Sequence, residues 1–153
     1  MKRWLKIFVT LLPFLYMILI WALSSLPHDV VFKLQNDLAD QFIKESMHVV
    51  EFAILHFLFV IALLAHGKLT TTTHLIAAVF AAFYGLLDEI HQAFVPTRSA
   101  TLIDAIKDLA GVLVVYILIQ RAYFIKKNGF LGKRLQSFEK WIRHTKKRSS
   151  TEA

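Results

Sequence analysis

Four apolar runs separated by short polar stretches set the pattern of this chain: Trp4 to Leu23, Met47 to Ala65, Leu75 to Val95, and Leu102 to Ile125. Each is close to the ~20 residues that a helix needs to cross the hydrocarbon core of a bilayer. The pattern therefore predicts an all-α membrane protein with four transmembrane helices. The first run is longer than the ~7–15 apolar residues of a signal peptide. It is also rich in aromatic residues, among them Trp4, Phe8, Phe14, Tyr16 and Trp21. A retained first span is thus favoured over a leader, although Ala22-Leu23-Ser24 loosely resembles a cleavage site. Pro13 is expected to kink this span, which membrane helices tolerate. After it, Leu34, Leu38 and Phe42 recur every four residues, as on a short helix that lies on the membrane or covers the bundle. His66-Gly67-Lys68 breaks the second run, and Pro96 stops the third. Past the fourth run, Leu131, Leu135, Phe138 and Ile142 follow 4-3-4 spacing, with Lys133, Arg134, Lys140 and Arg143 around them. This predicts an interfacial amphipathic helix on an anionic leaflet, followed by a disordered end. Residues 1–125 are thus expected to form the membrane domain and residues 126–153 a basic tail.

Composition supports the membrane reading. Of 153 residues, 56% are hydrophobic and the mean hydropathy is +0.52, against about 45–50% apolar residues in soluble domains. The net charge is +7, all of it accounted for by the tail, which has nine Lys/Arg and two acids. That block directly follows a span, so nucleic acid is not the expected partner; anionic inner-leaflet lipids are. Positive residues favour the cytoplasm. The basic start (Lys2, Arg3, Lys6), the Lys68 connector and the tail therefore place both termini inside. The acidic segment before the second span and the connector at Arg98 fall outside. The chain has no cysteine, which excludes disulfides and thiol chemistry.

The polar residues within the spans carry the chemistry. A charged residue at the centre of a spanning helix costs about 2.5–3.5 kcal/mol on insertion scales, so a plain anchor would not keep several. His48 and Glu51 share a face of the second helix. Tyr84, Asp88 and either His91 or Gln92 share a face of the third, and Glu89 points roughly 100° away on a 3.6-residue turn. Asp104, Asp108 and Gly111 line the fourth, where Gly111 would admit a neighbouring helix. The four-span topology brings these groups, with Ser24 and Ser25, to one depth in the outer leaflet, as a polar pocket open to the outer face. Each has a plainer alternative. Asp104 fits a capping box with Thr101, His48 and Glu51 can bond a helix start, and the two serines can bond a helix end. His56, His66 and His74 read as structural. Arg98 either binds a phosphate or carboxylate through its fork or neutralises the acids. His91 is suited to acid–base work or metal ligation, but the spacing is no recognised metal signature, so neither metal nor cofactor is expected.

These pieces resemble the VanZ-like family of membrane proteins. The resemblance rests on Ser24-Ser25-Leu26-Pro27, on His48-x-x-Glu51 followed by Ala53-Ile54-Leu55, on Asp88-Glu89-x-His91-Gln92-x-Phe94-x-Pro96-x-Arg98, and on Asp104-x-x-x-Asp108-x-x-Gly111. The third block is the most specific. Glu45 stands where the family often has Lys, Phe52 where it often has Tyr, and Asp108 where it often has Asn. The resemblance implies a multi-pass protein of the bacterial cell membrane with a role in the cell envelope, in a family named for antibiotic resistance to teicoplanin.

The expected function is modulation of the envelope, or of tolerance to glycopeptide and lipopeptide antibiotics, by binding an amphiphile such as a lipid-linked precursor or a lipopeptide. Two alternatives stay open: an intramembrane acid–base enzyme acting on a lipid-linked substrate, and a transporter. A transporter with only four spans implies a homo-oligomer.

Overall fold

The computed structural model describes the backbone of residues 2–26, 37–96, 98 and 101–143, and the side chains of the same residues except 2, 37–45 and 143. Among the described residues there are five α-helices, one π-helical segment and no strand. They are α1 (Lys2–Ser24), α2 (Asp37–Ala65), α3 (Thr71–Gln92), α4 (Leu102–Ile119), the π-helix Gln120–Ile125, and α5 (Phe130–Arg143).

Three of them, α1, α2 and α3, are long and apolar enough to cross a membrane. The fourth apolar run is divided between α4 and the π-helix, and α4 carries Asp104, Lys107 and Asp108 in its first half. α1 continues through Pro13. α3 starts at a Thr70/Thr73 capping box, in which each hydroxyl bonds the other's backbone N–H. The wider i→i+5 bonding of the π-helix ends with the Lys126 N–H donating to the Arg121 carbonyl at 2.6 Å. The expected short helix around Leu34, Leu38 and Phe42 is corrected in part: from Asp37 onward the backbone is the continuous start of α2. The apolar pattern begins only at Met47, so the sequence hid this polar first section. Leu34 and the segment beyond Arg143 lie outside the described residues.

α1 to α4 alternate in direction, since Thr10 meets His66, Ser24 meets Asp88 and His48 meets Asp108, and α2 is the central one. It packs against α1, α3, α4 and α5, while α3 also touches α1 and α4. One core joins four helices at mid-height, through Ile20, Phe52, Leu55, Ala81, Tyr84 and Val112. A Cβ on Gly111 would overlap the Val49 carbonyl oxygen and stand 3.1 Å from the Ala53 nitrogen. Only a glycine lets α4 approach the α2 backbone this closely. Outward-facing Phe14, Ile18, Phe83, Ile103 and Val114 are exposed, as suits a surface solvated by lipid tails.

At the opposite end α5 closes the bundle. Its Leu135 packs with Val60, Leu64, Leu69 and Ile119, and its Ile142 with Val9 and Ala65. Gly132 lets α5 sit on the Ala122 carbonyl of the π-helix. The apolar stripe expected to face lipid therefore covers protein at these two positions, while Leu131 and Trp141 stay exposed.

Candidate functional site

The end of α1, the N-terminal half of the α2 span, the end of α3 and the start of α4 meet at one end of the bundle, and the candidate residues collect there. They form two adjoining clusters divided by α3. Asp88 and Glu89 are neighbours in sequence, so their side chains leave α3 in different directions. Asp88 turns to α1, and Glu89 turns to α2 and α4.

The first cluster is a ring. The Ser24 hydroxyl donates to Asp88 Oδ1 at 2.5 Å. Gln92 Nε2 donates to Asp88 Oδ2 at 2.7 Å. Arg98 Nη1 donates to Gln92 Oε1 at 3.1 Å, its Nη2 to the Leu23 carbonyl at 2.8 Å and its Nε to the Leu26 carbonyl at 3.1 Å. The last two acceptors lie at the C-terminal end of α1, where carbonyls have no partner within the helix. Arg98 thus caps α1 from the connector after α3, and the ring clamps the two helices together. Its three hydrogen bonds here go to carbonyl-type oxygens and not to a carboxylate. Tyr84 adds a lower tie, with its hydroxyl donating to the Met17 carbonyl at 2.7 Å. On the rim, His91 stacks on Trp21 with ring centroids 3.8 Å apart, and its Nε2 lies 2.9 Å from the Ser25 hydroxyl.

The second cluster is acidic. His48 Nδ1 lies 3.1 Å from Asp108 Oδ1 and 3.7 Å from Glu89 Oε1. Glu51, one turn along α2 from His48, is half-buried. Gly85 brings α3 against α4 at this level, since a Cβ there would stand 3.1 Å from the Asp108 Cβ. Both Glu89 oxygens and Asp108 Oδ2 are buried without a hydrogen-bond partner among the described residues. Such groups are costly, and in native proteins they call for a specific explanation. His48, Glu89 and Asp108 also form the one described group whose side chains are close enough to hold a metal ion.

Asp104 stands apart from both clusters. It accepts from the Thr101 hydroxyl at 2.6 Å and from Lys107 Nζ at 2.9 Å, and its backbone N–H donates to Thr101 Oγ1 at 3.3 Å. That is a helix start with an i,i+3 ion pair. Asp88 and Asp108 are each only 1% exposed. Among the described residues, both clusters are packed side chain on side chain. In a low-dielectric surrounding, polar groups that can reach one another do so.

Two contacts escaped the sequence reading. Trp21, taken only as an apolar aromatic, is the stacking partner of His91. His56 and His74, taken singly as structural, face each other with Nε2 atoms 3.1 Å apart, and Tyr116 stacks on His74. Their only sequence signal is two histidines inside apolar runs.

An apolar groove lined by Phe14, Met17, Ile18, Trp21 and Tyr84, about 370 Å³ in volume, runs along the membrane face of α1 and α3 beneath the rim.

A family model described as VanZ/LLP1 matches residues 2–125, which take in both clusters and end where the π-helix ends. No curated protein and no solved structure matches the chain. The match covers most of the chain and every motif piece quoted above, so the chain is a helical membrane protein belonging to the VanZ/LLP1 family.

Proposed function

We propose that this protein crosses the bacterial cell membrane four times, with both termini cytoplasmic, and modulates the envelope by binding an amphiphile at the outer-leaflet end of the bundle. The amphiphile is a lipid-linked envelope precursor or a lipopeptide. Tolerance to glycopeptide or lipopeptide antibiotics is the resulting phenotype. The observation that carries this reading is the position of the Ser24–Asp88–Gln92–Arg98 ring. It lies at the bundle end opposite the basic N-terminus and α5, directly above the apolar groove at Trp21 and Tyr84. In this arrangement an acyl chain lies in the groove. The head group meets the partly exposed rim at His91 and Arg98, where a charge-assisted bond is worth more than a neutral one.

The test compares susceptibility to lipoglycopeptide antibiotics in a host with no copy, with the native chain, and with Asp88→Asn at equal membrane levels. Greater tolerance with the native chain alone supports the reading. Equal protection by native and variant chains refutes the role of the ring. No shift in either refutes this phenotype for the chain.

A second reading, acid–base chemistry on a lipid-linked substrate, is favoured by the contact of His48 with Asp108 beside Glu89. It predicts turnover of an extracted lipid, whereas binding alone predicts saturable retention with no product.

A further inference from the structure

We propose that His48, Glu89 and Asp108 bind a divalent transition-metal cation of the Zn²⁺ type, in the acidic cluster between α2, α3 and α4. This inference stands whether or not the chain binds an amphiphile.

The first support is geometric. The candidate ligand atoms all lie within 4.8 Å of one another. Two ligands each about 2.1 Å from a tetrahedral ion stand about 3.4 Å apart. The His48 Nδ1 separations from Asp108 Oδ1 and Glu89 Oε1, 3.1 and 3.7 Å, bracket that figure. The two separations from His48 thus need to change by only a few tenths of an ångström, and the third, between Glu89 and Asp108, stays within 4.8 Å, a gap that rotation of the two carboxylates can close.

The second support is the bonding left undone. Glu89 is 7% and Asp108 1% exposed. Both oxygens of Glu89 and Oδ2 of Asp108 lack a hydrogen-bond partner among the described residues. A buried carboxylate needs a counter-charge. The hydrogen bonds of the nearby cations run elsewhere: those of Arg98 to Leu23, Leu26 and Gln92, and that of Lys107 to Asp104. One imidazole is thus left facing two carboxylates. A divalent cation supplies the missing charge and takes up the unbonded oxygens together.

The donor set points to the class of metal. Imidazole suits zinc and its neighbours, whereas magnesium and calcium take oxygen ligands alone. Three protein ligands leave the fourth tetrahedral position for an oxygen from outside the three helices, as in catalytic zinc sites and unlike closed structural ones. Binding displaces the proton from His48 Nδ1, which leaves for solvent or moves to Nε2.

The test uses the full chain in detergent, stripped with a chelator and titrated with Zn²⁺ against a chromogenic competitor. One Zn²⁺ per chain is expected, with no competition from Mg²⁺. The isosteric variants Glu89→Gln and Asp108→Asn should each weaken binding by about 100-fold, since loss of even a supporting outer-shell group costs ~10–100-fold. Undiminished Zn²⁺ in both variants, or no stoichiometric Zn²⁺ in the native chain, overturns the proposal. Co²⁺ absorption keeps the test decisive if a variant fails to fold. A tetrahedral visible band in the native chain supports the site, and its absence overturns it.

Discussion

Removing the Asp88 carboxylate separates what the ring contributes as structure from what its charge contributes. Asp88 is 1% exposed and accepts one bond on each oxygen, from Ser24 at 2.5 Å and from Gln92 at 2.7 Å. In Asp88→Asn the new amide N–H donates to Ser24 Oγ. The Ser24 hydroxyl then turns to the Ile20 carbonyl, already 2.8 Å away. The amide oxygen keeps the bond from Gln92. The second N–H of the amide gains no acceptor from these partners, so the expected loss of stability is about 1 kcal/mol, the low end of the cost of an unsatisfied donor. In Asp88→Ala, Ser24 can still turn to Ile20, but Gln92 Nε2 loses its acceptor inside the bundle. That orphan costs about 1–3 kcal/mol, and the small void left by the carboxylate adds about 1 kcal/mol. The Ala variant should therefore be less stable than native by about 2–4 kcal/mol, and less stable than Asn by most of that. The assay is SDS-titrated unfolding in mixed micelles, followed by tryptophan fluorescence and far-UV circular dichroism. An Asn variant as unstable as Ala, or an Ala variant indistinguishable from native, would refute the bonding scheme.

Gly111→Ala should destabilise by about 1–3 kcal/mol in the same assay, because its methyl meets the Val49 carbonyl and the backbone cannot move aside alone; an unchanged midpoint would mean α2 and α4 are not this close. Arg98→Lys should destabilise nearly as much as Arg98→Gln, since a point charge cannot span three acceptors set out for a planar fork; full retention by Lys would show that only the charge matters. In chelator, Glu89→Gln should be more stable than native by about 1–2 kcal/mol, because it removes a buried carboxylate with no hydrogen bond among the described residues and offers an amide donor to Asp108; any loss of stability argues for a partner that these contacts do not include. For topology, Cys at Phe94, 82% exposed beside the site, should react with an impermeant thiol reagent in intact cells, and Cys at Lys68 only after lysis; the reverse pattern would invert the protein in the membrane.

The apolar runs and the i, i+4 spacing made much of this legible. Tyr84, Asp88 and Gln92 fall on one face of α3 by spacing alone, and all three contact α1 or the ring. The 100° offset of Glu89 sends it to α2 and α4. Gly111 was readable because a glycine amid large apolar residues in a span has few other uses. What stayed hidden depends on distant partners. Arg98 reaches carbonyls 72 and 75 residues earlier, and no periodicity carries that. The His56–His74 pair needs the two helices aligned across the turn at Gly67, the described glycine with positive φ. The stripe on α5 reads the same whether it meets lipid or protein, because both are apolar partners. The start of α2 was missed because hydropathy locates the membrane boundary, whereas the helix runs past it.

The two acids at the end of α3 differ in kind. Asp88 sits in a ring in which each oxygen has a donor, and the ring ends on backbone carbonyls that would otherwise lack one. Such an arrangement is sufficient in itself and explains why Ser24, Asp88, Gln92 and Arg98 occur together: each satisfies the next, and α1 is held to α3. Glu89 has no hydrogen bond, and Asp108 has His48 on one oxygen but nothing on the other, among the described residues. A bundle that needed only stability would replace Glu89 with an apolar residue, since a buried ion lacking full compensation weakens a fold. Keeping it makes sense when something outside the three helices completes it, and groups of this sort concentrate where stability is given up for function. The ring therefore defines the geometry of this end of the protein, and the open valences lie one residue further along the same helix. Measuring stability and antibiotic tolerance on the same Glu89→Gln chain distinguishes the two roles: higher stability with lost tolerance assigns Glu89 to function, whereas a parallel fall in both assigns it to the fold.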